Sequence, residues 1–298
     1  MLIKRPNYLA IFAKSFNWAG YFLPKDTYEE CSKLYAFCRV LDDIADANQL
    51  LKIKKERFKN IKETLKEIDH LKKNDLQTYT FERYQVIISD MIVVSEYKKI
   101  PELVIKDLVD GVESDLREEI KFKTEKELII YSYRVAGTVG LMMAKILDVN
   151  DKRALKGAID LGIAMQLTNI ARDVIEDYKM NRQYIKFDFE NIKSTLKLAD
   201  KFYESAFSSI KKIPVKYRFA IIVARRVYRQ IGKEIIKKKD IEKYKKSGKI
   251  YVNNFRKIIQ TVLSLGDLIK LFFTNIENHQ TAKEHDIINS EINLNERI

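Results

Sequence analysis

The chain has very little punctuation. Nine glycines and four prolines serve 298 residues, against about 7% and 5% in average usage. Few positions can therefore stop a helix or turn a strand, and long helices are favoured over a strand-and-turn fold. Apolar residues recur at helical spacing over about 26–46, 51–70, 79–97, 101–118, 124–147, 151–180, 194–212, 214–239 and 251–273. Asp26, after Pro24, is placed to cap the first of these helices. Pro101 and Pro214 stand where two others should begin, a position that tolerates proline. The sequence has no alternating strand pattern and no repeat at a fixed period. Its 46% hydrophobic content can fill a sizeable core, and nothing marks a linker within 8–270. The expectation is an all-α, single-domain helical bundle over 1–273. A polar, mobile tail is expected over 274–298, where large apolar residues are few.

Several classes of chemistry are excluded. Cys31 and Cys38 lie seven apart in one expected helix, and two turns hold their side chains too far apart for a disulfide. They read as reduced core thiols, and no zinc spacing is present. His70, His279 and His285 stand beside no nucleophile motif, which argues against Ser-His-Asp and Cys-His mechanisms. Met1–Asn7 is short and broken by Lys4, Arg5 and Pro6, so no signal peptide is expected. Ile258–Phe273 is apolar but contains Asp267 and Lys270, and is too short and charged to span a bilayer. These features suggest a cytoplasmic protein.

Net charge is +13, from 55 Lys and Arg against 42 Asp and Glu. Such a balance suits an anionic partner, or reflects only solvated lysine-rich helix faces. Residues 229–257 concentrate eleven basic residues against three acids. That stretch reads either as docking to the inner face of an anionic membrane or as a solvated helix end. Aromatic residues interleave poorly with Lys and Arg, so no nucleic acid partner is expected.

The chemistry sits in three motifs. The first is Tyr35-Ala-Phe-Cys-Arg-Val-Leu-Asp-Asp-Ile-Ala-Asp46. Asp42 and Asp46 are four apart and share a helix face, and Arg39 precedes Asp42 by one turn. Acids at a helix C-terminus oppose the macrodipole, a cost that a bound cation would offset. The second is Gln166-Leu-Thr-Asn-Ile-Ala-Arg-Asp-Val-Ile-Glu-Asp177. Asp173 and Asp177 repeat the spacing beside Arg172, and Gln166, Asn169 and Asp173 form one polar stripe in an otherwise apolar helix. A single such pair is common on solvated faces. Two pairs, each with an arginine and each in an apolar helix, imply carboxylates lining a cleft, where unpaired charge is costly. Internal Arg–Asp salt bridges are the bland alternative. The chemical one is Mg²⁺ (or Mn²⁺) held between carboxylates and a diphosphate, with Arg39, Arg134, Arg172 and Arg182 available to the same anion. The third motif, Tyr131-Ser-Tyr-Arg-Val-Ala-Gly-Thr-Val-Gly-Leu-Met-Met143, bares a helix face at Ala136, Gly137 and Gly140. This suits close helix packing, a thin wall along a prenyl tunnel, or both.

In these three motifs the sequence resembles the squalene/phytoene synthase family, from about Lys14 to Val252, and most of all its bacterial phytoene synthases. Ala224-Arg-Arg-Val-Tyr-Arg-Gln-Ile-Gly232 is similar to that family too. The resemblance implies an isoprenoid-synthase-type fold with a central cavity. It also implies head-to-head coupling of two geranylgeranyl diphosphates to phytoene through a cyclopropyl diphosphate, in carotenoid biosynthesis. Coupling of farnesyl diphosphate is the alternative, and a non-catalytic helical membrane protein a more distant one. By motif, Asp42, Asp46, Asp173, Asp177 and Asn169 would bind Mg²⁺. Arg39, Arg172, Gln166, Tyr35 and Tyr228 would contact diphosphate or ions, and Val135, Ala136 and Gly140 would line the tunnel. No NADPH is expected. The sequence departs from the family twice. Phe12-Ala13 stands where some relatives carry His-Ser, and Lys249 replaces an arginine, keeping charge but losing a bidentate fork.

Overall fold

A computed structural model describes residues 8–67, 83–274 and 279–298 of the chain. His70, and the parts of two expected helices at 68–70 and 79–82, lie outside the described residues. The all-α expectation holds. Among the described residues the strands are only two residues long, β1 (Ile120–Lys121) and β2 (Arg182–Gln183), paired in parallel.

The helices run in chain order as α1 (Tyr8–Phe12), α2 (Lys14–Gly20), α3 (Lys25–Asp46), α4 (Leu51–Glu67), α5 (Arg83–Tyr97), α6 (Glu102–Glu113) and α7 (Glu125–Ser132). They continue as α8 (Thr138–Ile146), α9 (Lys152–Lys179), α10 (Phe189–Ser209), α11 (Val215–Ile236), α12 (Ile241–Lys246), α13 (Asn254–Phe273) and α14 (Ala282–Asn289). Local chemistry sets most of their starts. Thr124 and Glu127 form a capping box at α7. Asp151 accepts from the Arg153 and Ala154 amides at 3.0 Å at the start of α9. Asp188 accepts from the Asn191 amide at 2.7 Å, so α10 begins five residues before the expected 194. Pro101 and Pro214 stand immediately before α6 and α11. Asp26 differs from expectation. It lies inside the first turn of α3, behind Pro24, and makes no capping bond; its contribution there is charge beside the N-terminal dipole.

The core wraps α9, which packs on α8, α10 and α11. The expected continuous helix over 124–147 is interrupted by a π-helical turn, Tyr133–Gly137. This wider turn fits because its neighbours are glycines. A Cβ on Gly111 of α6 would lie 2.6 Å from Arg134 Cβ, and one on Gly162 of α9 would lie 2.1 Å from the Ala136 carbonyl oxygen. The Thr138 hydroxyl donates to the Arg134 carbonyl at 2.6 Å, answering a polar group that the irregular turn frees.

The tail is the main correction. From residue 279 it is folded and docked, with α14 against α7 and His285, Ile288, Ile292 and Leu294 buried. His285 Nε2 lies 2.7 Å from Asp160, which also accepts from Ser205 at 2.7 Å and Thr281 at 2.8 Å. Arg297 donates twice to Asp107, at 3.0 and 3.3 Å. A few polar anchors and three aliphatics hold this segment, and its average composition gave no sign of them.

Candidate active site

The two acidic motifs occupy the last turns of α3 and α9, at one end of a cavity of about 240 Å³. Its wall includes Tyr35 and Cys38 of α3 and Gln166 and Asn169 of α9. The members of each pair lie two turns and one turn before the first aspartate of their motif, so helical spacing carries the stripe from cavity wall to acid on both helices. The remaining wall is almost wholly apolar. Val135, Ala136 and Gly140 all line it, as expected. Gly140 also serves packing, since a Cβ there would fall 2.1 Å from the Ala158 carbonyl oxygen. Both thiols are free; Cys31 is buried in the core with Cys38 packed against it, and both also line the cavity.

The acids divide into paired and unpaired. Arg172 grips its neighbour Asp173 through two bonds, Nε at 2.8 Å and Nη2 at 2.5 Å. Lys249 Nζ adds a second cation to Asp173 at 3.1 Å, where the family arginine would stand. Arg182 pairs with Asp46 at 2.8 Å, and Arg39 with Asp43 at 2.6 Å. The bland alternative of internal salt bridges is thus realised at Asp46 and Asp173. Asp42 and Asp177 form no ion pair among the described residues. Asp42 stands one helical turn past the cavity-lining Cys38, and although its side chain reaches solvent, protein surrounds its carboxyl. That enclosure, followed by the charge of Asp46, raises its carboxyl from 3.8 to about 7. Burial and then Asp173 raise Asp177 to about 7 as well.

A fifth carboxylate joins them. Asp115, in the 3₁₀ turn after α6, accepts from the Tyr131 hydroxyl at 2.8 Å and the Tyr184 hydroxyl at 2.9 Å. It lies within electrostatic reach of both Asp42 and Asp177. Burial raises its pKa, and Arg182 opposes the rise. The two tyrosine rings stack at 4.7 Å. The β1–β2 pairing and Asn181, at φ 57°, turn the chain after α9 and bring Arg182 and Tyr184 back over this turn. Sequence reasoning did not find Asp115. It has no DxxxD partner and reads as one acid among several in an acidic loop. Its only signal is Tyr131, twelve residues upstream of Met143 in the glycine-rich motif.

Asn169 Nδ2 donates to Gln166 Oε1 at 3.4 Å. Its Oδ1 is buried with no hydrogen-bond partner among the described residues, an arrangement that a ligand or cation would satisfy. Tyr228 is buried, and its ring lies 4.8 Å from that of the cavity-lining Phe16, tilted by 38°. Arg134 has no counter-ion among the described residues, and its buried Nε has no partner. It is a lone cation one residue from Val135. A further group, Asp160, His279 and His285, brings its ligand atoms within 4.8 Å of one another. Asp160 is nine residues before Asn169, half a revolution away around α9, so this group stands behind the cavity rather than at its mouth.

Comparison with known proteins shows the family and the fold. The squalene/phytoene synthase family model matches residues 11–185. A 15-cis-phytoene synthase of Paracoccus sp. (strain N81106 / MBIC 01143) is 30% identical over 244 residues, 76% of this chain and 79% of that one. A 4,4'-diapophytoene synthase of Staphylococcus haemolyticus (strain JCSC1435) is 35% identical over 174 residues, 58% of each chain. Among solved structures, a dehydrosqualene synthase in complex with ligand superposes with a TM-score of 0.71 at 25% identity, covering 88% of this chain and 94% of that one.

Proposed function

This chain belongs to the squalene/phytoene synthase family, and from that premise we infer that it couples two geranylgeranyl diphosphates head to head, forming phytoene by way of a cyclopropyl diphosphate. Prenyl transfer of the head-to-head carotenoid type is common ground for the family members it matches. The C20 chain length and the metal are this reading's own.

The observation that carries it is the cavity mouth. Among the described residues Asp42 and Asp177 lack ion-pair partners, with their carboxyls raised to about 7 by enclosure and like charge, and the Asn169 Oδ1 has no hydrogen-bond partner. Hard oxygen donors with unneutralised charge fit Mg²⁺, with Mn²⁺ as the alternative. Asp42, Asp46, Asp173, Asp177 and Asn169 would hold the ion. When bound it would supply Lewis-acid neutralisation of a departing diphosphate.

The rest is the work of the chain's own side chains. Arg39, Arg134, Arg172 and Lys249 present cations to the anionic head, with Tyr35, Gln166 and Tyr228 beside it. Val135, Ala136 and Gly140 take the prenyl chain along an apolar wall that keeps water from an allylic cation. Small residues farther along that wall, Ala154, Gly157, Ala158 and Ala206, support a long prenyl chain. Coupling of C15 diphosphates is the second reading, favoured by the identity to the diapophytoene synthase.

The test is incubation with C15 or C20 diphosphate plus Mg²⁺, with and without NADPH, followed by mass analysis of the hydrocarbon. The expected result is a C40 product from the C20 substrate, unaffected by NADPH. A C30 product alone would replace the reading with its C15 form, and no hydrocarbon from either would end it.

A further inference from the structure

Helix α13 is docked inside out. The side it turns to the protein is polar over its first three turns, with Leu268 and Leu271 reaching the core only near its end. Lys257 is 6% exposed and Ser264 fully buried. Thr261 Oγ1 accepts from the Trp18 indole at 2.9 Å. Gln260 accepts from Arg226 at 3.1 Å and donates to Gln230 at 3.1 Å, and Asp267 pairs with Arg226 at 2.6 Å. The side turned outward is apolar. Phe255, Ile258, Val262, Leu265, Ile269 and Phe272 are 71%, 51%, 60%, 52%, 60% and 60% exposed. Steps of three and four place these six on one continuous stripe.

An amphipathic helix of a protein that meets only water turns its apolar stripe to the core, so this orientation implies an apolar partner. Charge selects which one. In the segment leading into the stripe, Lys233, Lys237, Lys239, Lys243, Lys245 and Lys246 are exposed, and the chain carries +13. A second copy would bring the same sign of charge to the contact, whereas anionic headgroups neutralise it. No described helix is long and apolar enough to cross a bilayer, which suits a helix lying in the interface.

We propose that α13 lies in the plane of an anionic membrane surface, with its Phe255–Phe272 stripe among the acyl chains and the preceding basic segment on the headgroups. This adds apolar insertion to the purely electrostatic docking expected from the sequence, and it stands apart from the coupling reaction. The placement also relates membrane to cavity. Helix α13 packs on α11 and is tied to α2 by Trp18, and both of those helices contribute cavity wall, at Ala224 and Gly20. The membrane-facing helix therefore backs directly onto the wall of the compartment that holds a greasy chain.

The test is co-sedimentation of the full chain with phosphatidylcholine vesicles, with and without phosphatidylglycerol, at low and high salt. Wild type is compared with V262E/I269E and with V262S/I269S. Wild type is expected to sediment with the anionic vesicles and to keep part of its binding at high salt. Both double variants should bind at least tenfold more weakly at every salt concentration, with unchanged helicity and unchanged turnover of detergent-dispersed substrate. Equal binding by variants and wild type, or failure of wild type to sediment, would overturn the proposal. So would a wild-type dimer in solution that the variants split, because a second copy would then cover the stripe.

Discussion

Arg182 reaches back from the turn after α9 and closes a 2.8 Å ion pair on Asp46 at the end of α3. The pair joins the two acidic helices at the cavity mouth, and the guanidinium also lies near Asp115. A charge-assisted bond of this kind is worth about 1.5–3 kcal/mol. Arg182→Ala should therefore lower kcat/KM roughly tenfold to a hundredfold and raise the Mg²⁺ concentration needed for half-maximal rate. Arg182→Lys should recover part of the loss, since charge remains but the fork does not. Steady-state rates across a Mg²⁺ titration, with circular dichroism to check the fold, provide the measurement. Unchanged Mg²⁺ dependence in Arg182→Ala would show that the two helices need no such tie.

Asp42 and Asp177 set a pH dependence whose sign is opposite to that of a salt-bridged carboxylate. Their folded-state pKa of about 7 lies above the 3.8 of the free side chain. The folded chain thus holds more protons than the unfolded chain between those values, and stability falls as pH rises through that window. Metal-free protein should melt at a lower temperature at pH 8 than at pH 5.5, when other groups are matched by an Asp42→Asn/Asp177→Asn control that flattens the difference. Added Mg²⁺ should raise the wild-type melting temperature at pH 8 and leave the control unmoved. The same double variant should lose turnover. Melting curves with and without EDTA decide this, and a wild type indifferent to Mg²⁺ would remove the main support for a cation at this mouth.

The parts of the site that the sequence made legible are those written in a local code. The i, i+4 spacing of Asp42 with Asp46 and of Asp173 with Asp177 needs only a helix to become a shared face, and scarce glycine and proline guaranteed the helix. Asp115 was illegible because its position depends on β1 pairing with β2 across more than sixty residues, which no local pattern encodes. The π turn at Tyr133–Gly137 was hidden for a related reason. Its cause lies in glycines on other helices, Gly111 and Gly162, that leave room for it. The outward stripe of α13 was visible as periodicity, but periodicity alone cannot say which face turns inward.

Gly140 offers a test that separates packing from tunnel. Its missing Cβ admits the Ala158 carbonyl, which would stand 2.1 Å from a methyl group. Backbone cannot yield as a flexible side chain can, so Gly140→Ala should cost about 1–3 kcal/mol as overpacking. Gly266→Ala is the natural control. It is also helical, but nothing lies within 4 Å of the added carbon, and helix propensity favours the change by up to about 1 kcal/mol. Denaturant melts should show a loss in the first and none in the second. Equal stability of the two variants would mean that the α8–α9 contact is looser than drawn.

Asp160 concentrates the docking of the C-terminal segment. It is fully buried and gathers Ser205, Thr281 and His285 within 2.8 Å, with His279 at 3.3 Å. Removing the carboxylate strands several buried polar groups at once, so Asp160→Ala should cost about 3–5 kcal/mol and free residues 279–298 from α7. Hydrogen exchange across Ala282–Asn289 should quicken by far more than exchange in α3. Turnover at low temperature should persist, because Asp160 faces away from the aspartates on the same helix. His285→Ala removes one partner and leaves the carboxylate with its two hydroxyl donors, so a smaller release is expected. Protection of Ala282–Asn289 that survives both substitutions would locate the anchor instead in Ile288, Ile292 and the Arg297–Asp107 pair.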